Sequence, residues 1–165
     1  MVQMIKLRFA QSEQDCDLLL KWRNDPFIYK RFSNPKPVNR LDHIRWFEGA
    51  IMSSSVRLFI IEKEYPIDEK EFGVRRNNDV PVGQIRFDKG EDNTCEVSIG
   101  LPERYTGKGW GTEAIRQGCI RIGKIWEGVQ VIARFVPQNC PSKKAFAKAG
   151  FKFLEEKNTA MVYRP

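Results

Sequence analysis

Apolar positions recur along the chain with period two in some stretches and with helical period in others. Residues 5–9 (IKLRF) alternate and predict a short first strand. Ser12 is a helix N-cap, with Asp15 three residues on in a variant of the capping box. Cys16, Leu19, Leu20 and Arg23 then follow at helical spacing, and the helix should stop near Asn24-Asp25-Pro26. A Pro-, Asn- and Lys-rich loop runs to Pro37. Asn39 caps a second helix with Asp42 in its first turn and Ile44, Phe47 and Ile51 as its apolar stripe. Residues 56–61 (VRLFII) are a strand by β-branching and length, and 62–81 form a charged, turn-rich surface excursion. Within that excursion, 72–75 are expected to extend the flanking strands.

Residues 82–88 (VGQIRFD) and 95–101 (CEVSIGL) alternate cleanly on either side of 90–93, the signature of a hairpin. Loop 102–110 opens a helix over about 111–124, Gly128 breaks it, and 130–136 (QVIARFV) is a further strand. Pro141 starts a last major helix that ends at Gly150, and short strands at 151–155 and 160–163 close the chain. The order β-α-α-β-β-β-α-β-α-β-β is mixed α/β with central hairpins, which excludes a doubly wound parallel sheet. No repeat or low-complexity segment interrupts it, so residues 1–165 are expected to form a single domain.

Composition refines this picture in three ways. With 41% hydrophobic residues the chain is globular, and no apolar run approaches the ~18 residues needed to span a bilayer. The opening MVQMIKLRF lacks the apolar stretch of a secretory signal, so a cytoplasmic protein without membrane partners is expected. Cys16, Cys95, Cys119 and Cys140 are widely spaced and there is one histidine, His43; buried reduced thiols, and no metal site, are expected. The formal net charge of +7 suits anionic partners, either nucleic acid or phosphate-rich small molecules such as coenzyme A or a nucleotide sugar. No RNP string or helix-turn-helix cue is present, so nucleic acid is not the expected partner.

The segment YTGKGWGT (105–112) carries the chemistry. Gly107, Gly109 and Gly111 alternate directly after a strand and directly before a helix. Glycines permit positive φ and close backbone approach, so successive N–H groups can face one anion at a helix start. Lys108 and Arg104 add positive charge. The P-loop string GxxxxGK[ST] and the dinucleotide string GxGxxG are both absent. A flexible glycine turn is the plain alternative to a pyrophosphate cradle.

At this point the chain resembles the GNAT superfamily of N-acetyltransferases. The family's loop, Gln/Arg-x-x-Gly-x-Gly/Ala after the fourth strand, falls on Thr106, Gly107, Lys108, Gly109, Trp110 and Gly111, with Thr106 in place of Gln or Arg; Thr112 follows. Downstream, Asn139, Ser142, Ala145, Gly150 and Phe151 match the family's Asn, small residue and helix ending in Gly-Phe. The resemblance implies a GNAT fold, with a central mixed, mostly antiparallel sheet and helices on both faces, and acetyl-CoA as cofactor. It implies that Asn139 and Ser142 contact coenzyme A. It also implies that the strands at 96–101 and 131–136 splay to admit the pantetheine arm beside Ile99, Gly100 and Leu101. A backbone N–H near Gly100 or Leu101 would then polarise the thioester carbonyl. Phe146 occupies a common position of the family's general-acid tyrosine, where it could line the cofactor but give no proton.

Attack requires a neutral amine and hence a base. Glu96, on the strand leading to the cofactor and on the face opposite Val97, Ile99 and Leu101, is the first candidate. Ser98 shares its face and could orient a water. A solvated strand-face glutamate is the plain alternative. For the acceptor, two strings combine aromatic, cationic and amide groups: Trp22-Arg23-Asn24-Asp25-Pro26 and His43-Ile44-Arg45-Trp46-Phe47. Trp22, Arg23, Asn24, His43 and Trp46 are the candidate substrate contacts; core anchoring is the plain reading of the aromatics. WRND, HxxWF, GQIRFD and EVSIGL together resemble the sugar-nucleotide 4-amino N-acetyltransferases of pseudaminic-acid biosynthesis. That resemblance implies a UDP-linked 4-amino-4,6-dideoxy sugar as the small-molecule amine. Ribosomal-protein N-terminal acetyltransferases share the surrounding pattern and are the alternative. A non-catalytic acyl-CoA-binding module is the second alternative. A homodimer is compatible with all three.

Overall fold

The run VRLFII explains the layering. In strand β2 (Val56–Lys63), Phe59 and Ile61 belong to one core cluster while Leu58 and Ile60 belong to another, and all four are at most 3% exposed. A strand buried on both faces reads as a continuous apolar run rather than an alternation. The structure is a computed structural model that describes residues 4–64, 79–134, 140–153 and 160–163. Its sheet has seven strands. They are β1 (Ile5–Phe9), β2, β3 (Val80–Lys89), β4 (Thr94–Gly100), β5 (Gln130–Arg134), β6 (Phe151–Phe153) and β7 (Ala160–Tyr163), in the order β1-β2-β3-β4-β5-β7-β6. Every neighbouring pair is antiparallel except β4 with β5. The mixed, mostly antiparallel sheet is therefore as expected.

Helices cover both faces. From α4 (Trp110–Ile125), Ala114, Ile115, Cys119 and Ile122 pack with Ile85 and Phe87; Phe146 of α5 (Cys140–Lys148) joins them. From α1 (Glu13–Arg23) and α3 (Arg40–Met52), Cys16, Leu19, Trp22 and Phe47 pack over Leu58 and Ile60. The contact between α4 and the sheet is close: a Cβ on Gly118 would lie 2.6 Å from Phe87 Cζ. Side chains of α4 also tie down the edge strand, where Gln117 Nε2 donates to the Ile5 carbonyl at 3.1 Å and Arg121 Nη1 to the Leu7 carbonyl at 2.9 Å. Cys16, Cys95 and Cys119 are buried free thiols, and burial pushes the Cys95 thiol up to about 12.

Both capping signals hold. Ser12 and Asp15 form a reciprocal capping box, and the Asn39 side chain accepts from the Asp42 N–H at 2.9 Å. The 24–37 stretch departs from the expected loop. Asp25 accepts from the Phe27 N–H at 2.9 Å, Pro26 takes the first helical position, and one helical turn, α2 (Pro26–Tyr29), results. A short 3₁₀ turn, Glu103–Tyr105, precedes α4. The expected strand extension at 72–75 and most of the excursion that contains it lie outside the described residues.

A charged cluster joins α1 to the sheet. Asp15, 2% exposed, takes a bidentate pair from Arg8 at 2.7 and 2.8 Å, and Arg8 Nε also donates to Glu62. Burial pushes the Asp15 carboxyl up, but the Arg8 guanidinium and the N–H groups of Gln11 and Ser12 outweigh it and hold it at about 2. The carboxylate therefore stabilises the fold at neutral pH, and that contribution fades as pH falls from 3.8 towards 2. Asp15→Asn should cost ~3 kcal/mol in urea unfolding at pH 7, since it leaves Arg8 half-buried without its main partner. The difference from wild type should shrink through that acid window; a difference still undiminished at pH 2 would contradict the assignment.

Candidate active site

The glycine loop sits where β4 ends and α4 begins. Gly107 and Gly109 have φ of +73° and +81°, values that favour glycine, and a Cβ on either would meet nothing within 4 Å. Gly109 is the N-cap of α4 and no side chain caps the helix. The first-turn N–H groups therefore have no intrahelical partner, and the open space in front of them suits an anion. Gly111 is different: its φ is not positive, and its Cβ position lies 3.6 Å from Leu101 Cδ1 and 3.9 Å from Ile99 Cδ1. This packing fixes the cradle against the tip of β4. Lys108 and Arg104 stand beside it, over the rings of Trp110 and Tyr105.

The second element is the end of β4. β4 pairs with β3 as far as Gly100↔Gln84, and the described pairs of its parallel ladder with β5 run from Thr94↔Gln130 to Val97↔Ala133. Ser98, Ile99 and Gly100 carry the β3 ladder on towards the glycine loop. Ile99 and Leu101 pack on the α4 side of the sheet. On the other face the rows Asp88↔Glu96, Arg86↔Ser98 and Gln84↔Gly100 make a polar strip beside Leu58 and Ile60. Glu96 is 44% exposed with Oε2 3.4 Å from Arg134 Nη1 on β5. Arg86 Nε donates to Asp88 Oδ2 at 2.7 Å, and its guanidinium lies 5.5 Å from the centre of the Trp46 ring. Ile28 of α2 approaches Gly100 and closes the strip at the cradle end.

The structure thus brings Ile99, Leu101 and Gly111 together at the tip of β4, with Glu96 and Ser98 on the opposite face of the same strand and Trp46, 38% exposed, beside Arg86 on that face. Several candidate side chains have other work. The Trp110 ring is 5% exposed in the core, leaving only its backbone to the cradle. The Thr106 hydroxyl donates to the Glu103 carbonyl at 2.8 Å and closes the 3₁₀ turn. Phe146 is 2% exposed and packs edge-on against Phe151, so its ring is core rather than cofactor lining. Ser142 is half-buried on α5, and Asn139 lies outside the described residues.

The acceptor strings are corrected further. Trp22 is 5% exposed in the core under α1. His43 is 4% exposed, with Nε2 3.0 Å from the Cys16 carbonyl, so it ties α3 to α1 and does not face the strip. Asn24 exchanges two hydrogen bonds with the Val38 backbone, at 2.9 and 2.8 Å, and Arg23 donates to the carbonyls of Lys36 and Asn34. WRND therefore shapes the 24–38 segment. Gln84, Arg86, Asp88 and Arg134 share the strip with Glu96 and Ser98 but were not among the expected candidates. The alternation of GQIRFD, which places Gln84, Arg86 and Asp88 on the face shared with Glu96 and Ser98, was the signal that could have found them. Two surface hollows, one at Ser54, Lys89 and Trp126 and one at Lys6, Ile120 and Lys124, lie away from the cradle.

A family model described as an acetyltransferase (GNAT) domain matches residues 5–152. The chain belongs to the GNAT acetyltransferase family. An uncharacterised protein of Methanocaldococcus jannaschii is 27% identical over 146 residues, 86% of this chain. The chain spans 27% of that relative's length. The crystal structure of a domain from the same organism superposes with a TM-score of 0.76 at 23% identity, covering 98% of this chain and 97% of that one. The aminoglycoside acetyltransferase AAC(6')-Ib, in complex with paromomycin and acetyl-CoA, superposes with a TM-score of 0.73 at 17% identity over 96% of this chain and 92% of that one. The glycine loop at the start of α4, where Gly107 and Gly109 take positive φ, lies within the matched region, and its open cradle fits an acetyl-CoA donor. No described helix is long and apolar enough to cross a membrane.

Two outcomes follow from this geometry. Gly109→Val forces a β-branched residue to a φ of +81° and should raise the KM for acetyl-CoA by ~10-fold or more while circular dichroism stays native. An unchanged KM in the folded variant rejects the cradle. His43→Gln should leave both KM values alone and cost ~1–2 kcal/mol of stability. Burial lowers the His43 pKa below 6.5, so wild-type stability should decline as pH falls below 6.5, where the unfolded chain takes up a proton that the folded ring resists. In the His43→Gln protein that decline should flatten. An altered acceptor KM would return His43 to the site.

Proposed function

We propose that this domain acetylates the 4-amino group of a UDP-linked 4-amino-4,6-dideoxy sugar, the reaction of the pseudaminic-acid branch that its sequence strings resemble. One observation carries the reading: the face of β3 and β4 that lies opposite α4 holds carboxylates (Asp88, Glu96), guanidinium groups (Arg86, Arg134) and the half-exposed Trp46 within one strip. A sugar nucleotide presents an amine, an anionic diphosphate and a flat base, and each has a counterpart there. The net charge of +7 supports the same partner.

Acetyl-CoA, when bound, supplies an acetyl group activated as a thioester. The N–H groups of residues 107–112 hold its phosphates, and those at Gly100 or Leu101 orient the acyl oxygen. Glu96 serves as the base, drawing a proton from the acceptor ammonium through a water that Ser98 orients. Its half-exposed carboxylate has room for that water. Phe146 offers no proton, so the departing thiolate takes one from solvent.

Glu96→Gln should lower kcat ~100-fold with little change in acetyl-CoA binding, and the loss should lessen at high pH, where free amine is plentiful. Wild-type turnover in that variant would move the role to Ser98 or water. Turnover on UDP-4-amino sugars, on N-terminal peptides and on polyamines, compared side by side, tests the acceptor. Rapid acetylation of peptides with every UDP-amino sugar ignored would replace the sugar reading with the protein N-terminal one. Acetyl-CoA binding without turnover on any amine would favour a binding module.

A further inference from the structure

We infer that Arg86 is the specificity-determining residue of the acceptor site. Arg86 receives an anionic group of the acceptor over β3 while the amine lies over β4. The inference rests on the acetyltransferase reading of the strip and deepens it.

Position is the first support. Arg86 pairs in register with Ser98, near the end of β4 that leads into the glycine loop, so its side chain starts one strand spacing (~4.8 Å) from that strand. Restraint is the second. Its Nε–H is held by Asp88 at 2.7 Å and its plane lies over Trp46, yet its terminal nitrogens have no hydrogen-bond partner among the described residues. The side chain is 33% exposed. A guanidinium fixed at Nε and open at its fork suits bidentate capture of a phosphate or carboxylate.

Uncompensated charge is the third support. Arg23 is half-buried, spends its N–H groups on the carbonyls of Lys36 and Asn34, and has no carboxylate partner among the described residues. Burial and then the neighbouring Arg86 lower its pKa. Asp88 is the one carboxylate that pairs with Arg86 among the described residues. Two partly desolvated guanidinium groups with a single counter-ion are unfavourable alone and favourable with a second anion. An acceptor that is only cationic, such as a polyamine, would set like charge against this pair. An acceptor carrying both an amine and an anion meets Glu96 with the first and Arg86 with the second.

Steady-state kinetics of wild type, Arg86→Gln and Arg86→Lys on three amines test this: a UDP-4-amino-4,6-dideoxy sugar, phosphinothricin (an amine bearing a phosphinate and a carboxylate) and spermidine. Arg86→Gln should raise the KM for the anionic acceptor ~10- to 100-fold, leave kcat and the acetyl-CoA KM near wild type, and reduce the rise of KM with added NaCl. Arg86→Lys keeps a charge opposite Asp88, so it guards against a folding defect. It should recover part of the salt dependence but not the affinity, because a point charge does not replace the fork. If the sugar nucleotide is turned over and its KM changes less than about twofold in both variants, Arg86 has no acceptor role and the function in nucleotide-sugar acetylation stands. If phosphinothricin is used, the sugar nucleotide is ignored and the KM rises in the variants, the sugar reading falls and the role of Arg86 survives. Efficient acetylation of spermidine, indifferent to both substitutions, overturns the two together.

Discussion

The pairing of β4 governs the rest of the molecule. It holds β3 antiparallel on one side as far as Gly100, and β5 parallel on the other, where the described pairs run from Thr94 to Val97. Parallel neighbours cannot be joined by a hairpin. β4 and β5 need a crossover, here α4, and the loop that starts it leaves from the Gly100 end of β4. The glycine cradle therefore sits at the tip of β4. The packing of Gly111 against Ile99 and Leu101, and of Gly118 against Phe87, then fixes α4 against the sheet.

Much of this was legible in the sequence because it depends on short-range rules. Caps at Ser12 and Asn39, the hairpin around 90–93 and the alternating glycines each express a local backbone preference, and local preferences survive folding unchanged. The α2 turn was missed although Asp25-Pro26 carries its own signal, an N-cap followed by proline at the first helical position. Reading that proline only as a terminator of α1 hid its second function. The strand order, with β7 between β5 and β6, was not legible, since nothing in the spacing of two short terminal strands says which of them meets the sheet first.

The acceptor residues illustrate a different limit. Trp22, Arg23, Asn24 and His43 look chemical in a string because they are polar or aromatic at close spacing. Yet the 24–38 segment has carbonyl and N–H groups of its own to satisfy, and Asn24 and Arg23 satisfy them. His43 does the same for the Cys16 carbonyl inside the helical layer. A polar side chain beside an irregular backbone is claimed by that backbone before it is offered to a ligand. Strand residues escape this claim, because their backbone is already paired in the ladder. That is why Arg86, Asp88, Glu96 and Ser98 remain on the open face, and why alternation along a strand was a better guide to the site than mixed composition in a loop.

The open strand face carries its own electrostatic tension. Asp88 and Glu96 stand directly opposite each other on adjacent antiparallel strands, an arrangement that like charges disfavour. The sheet tolerates it because Arg86 engages Asp88 from one side and Arg134 engages Glu96 from the other. By register both guanidinium groups belong to the next row along the strands: Arg86 lies opposite Ser98, and Arg134 follows Ala133, the partner of Val97. Each carboxylate is thus offset by a guanidinium from the adjoining row, and this is what lets two like charges face each other on an open strand face.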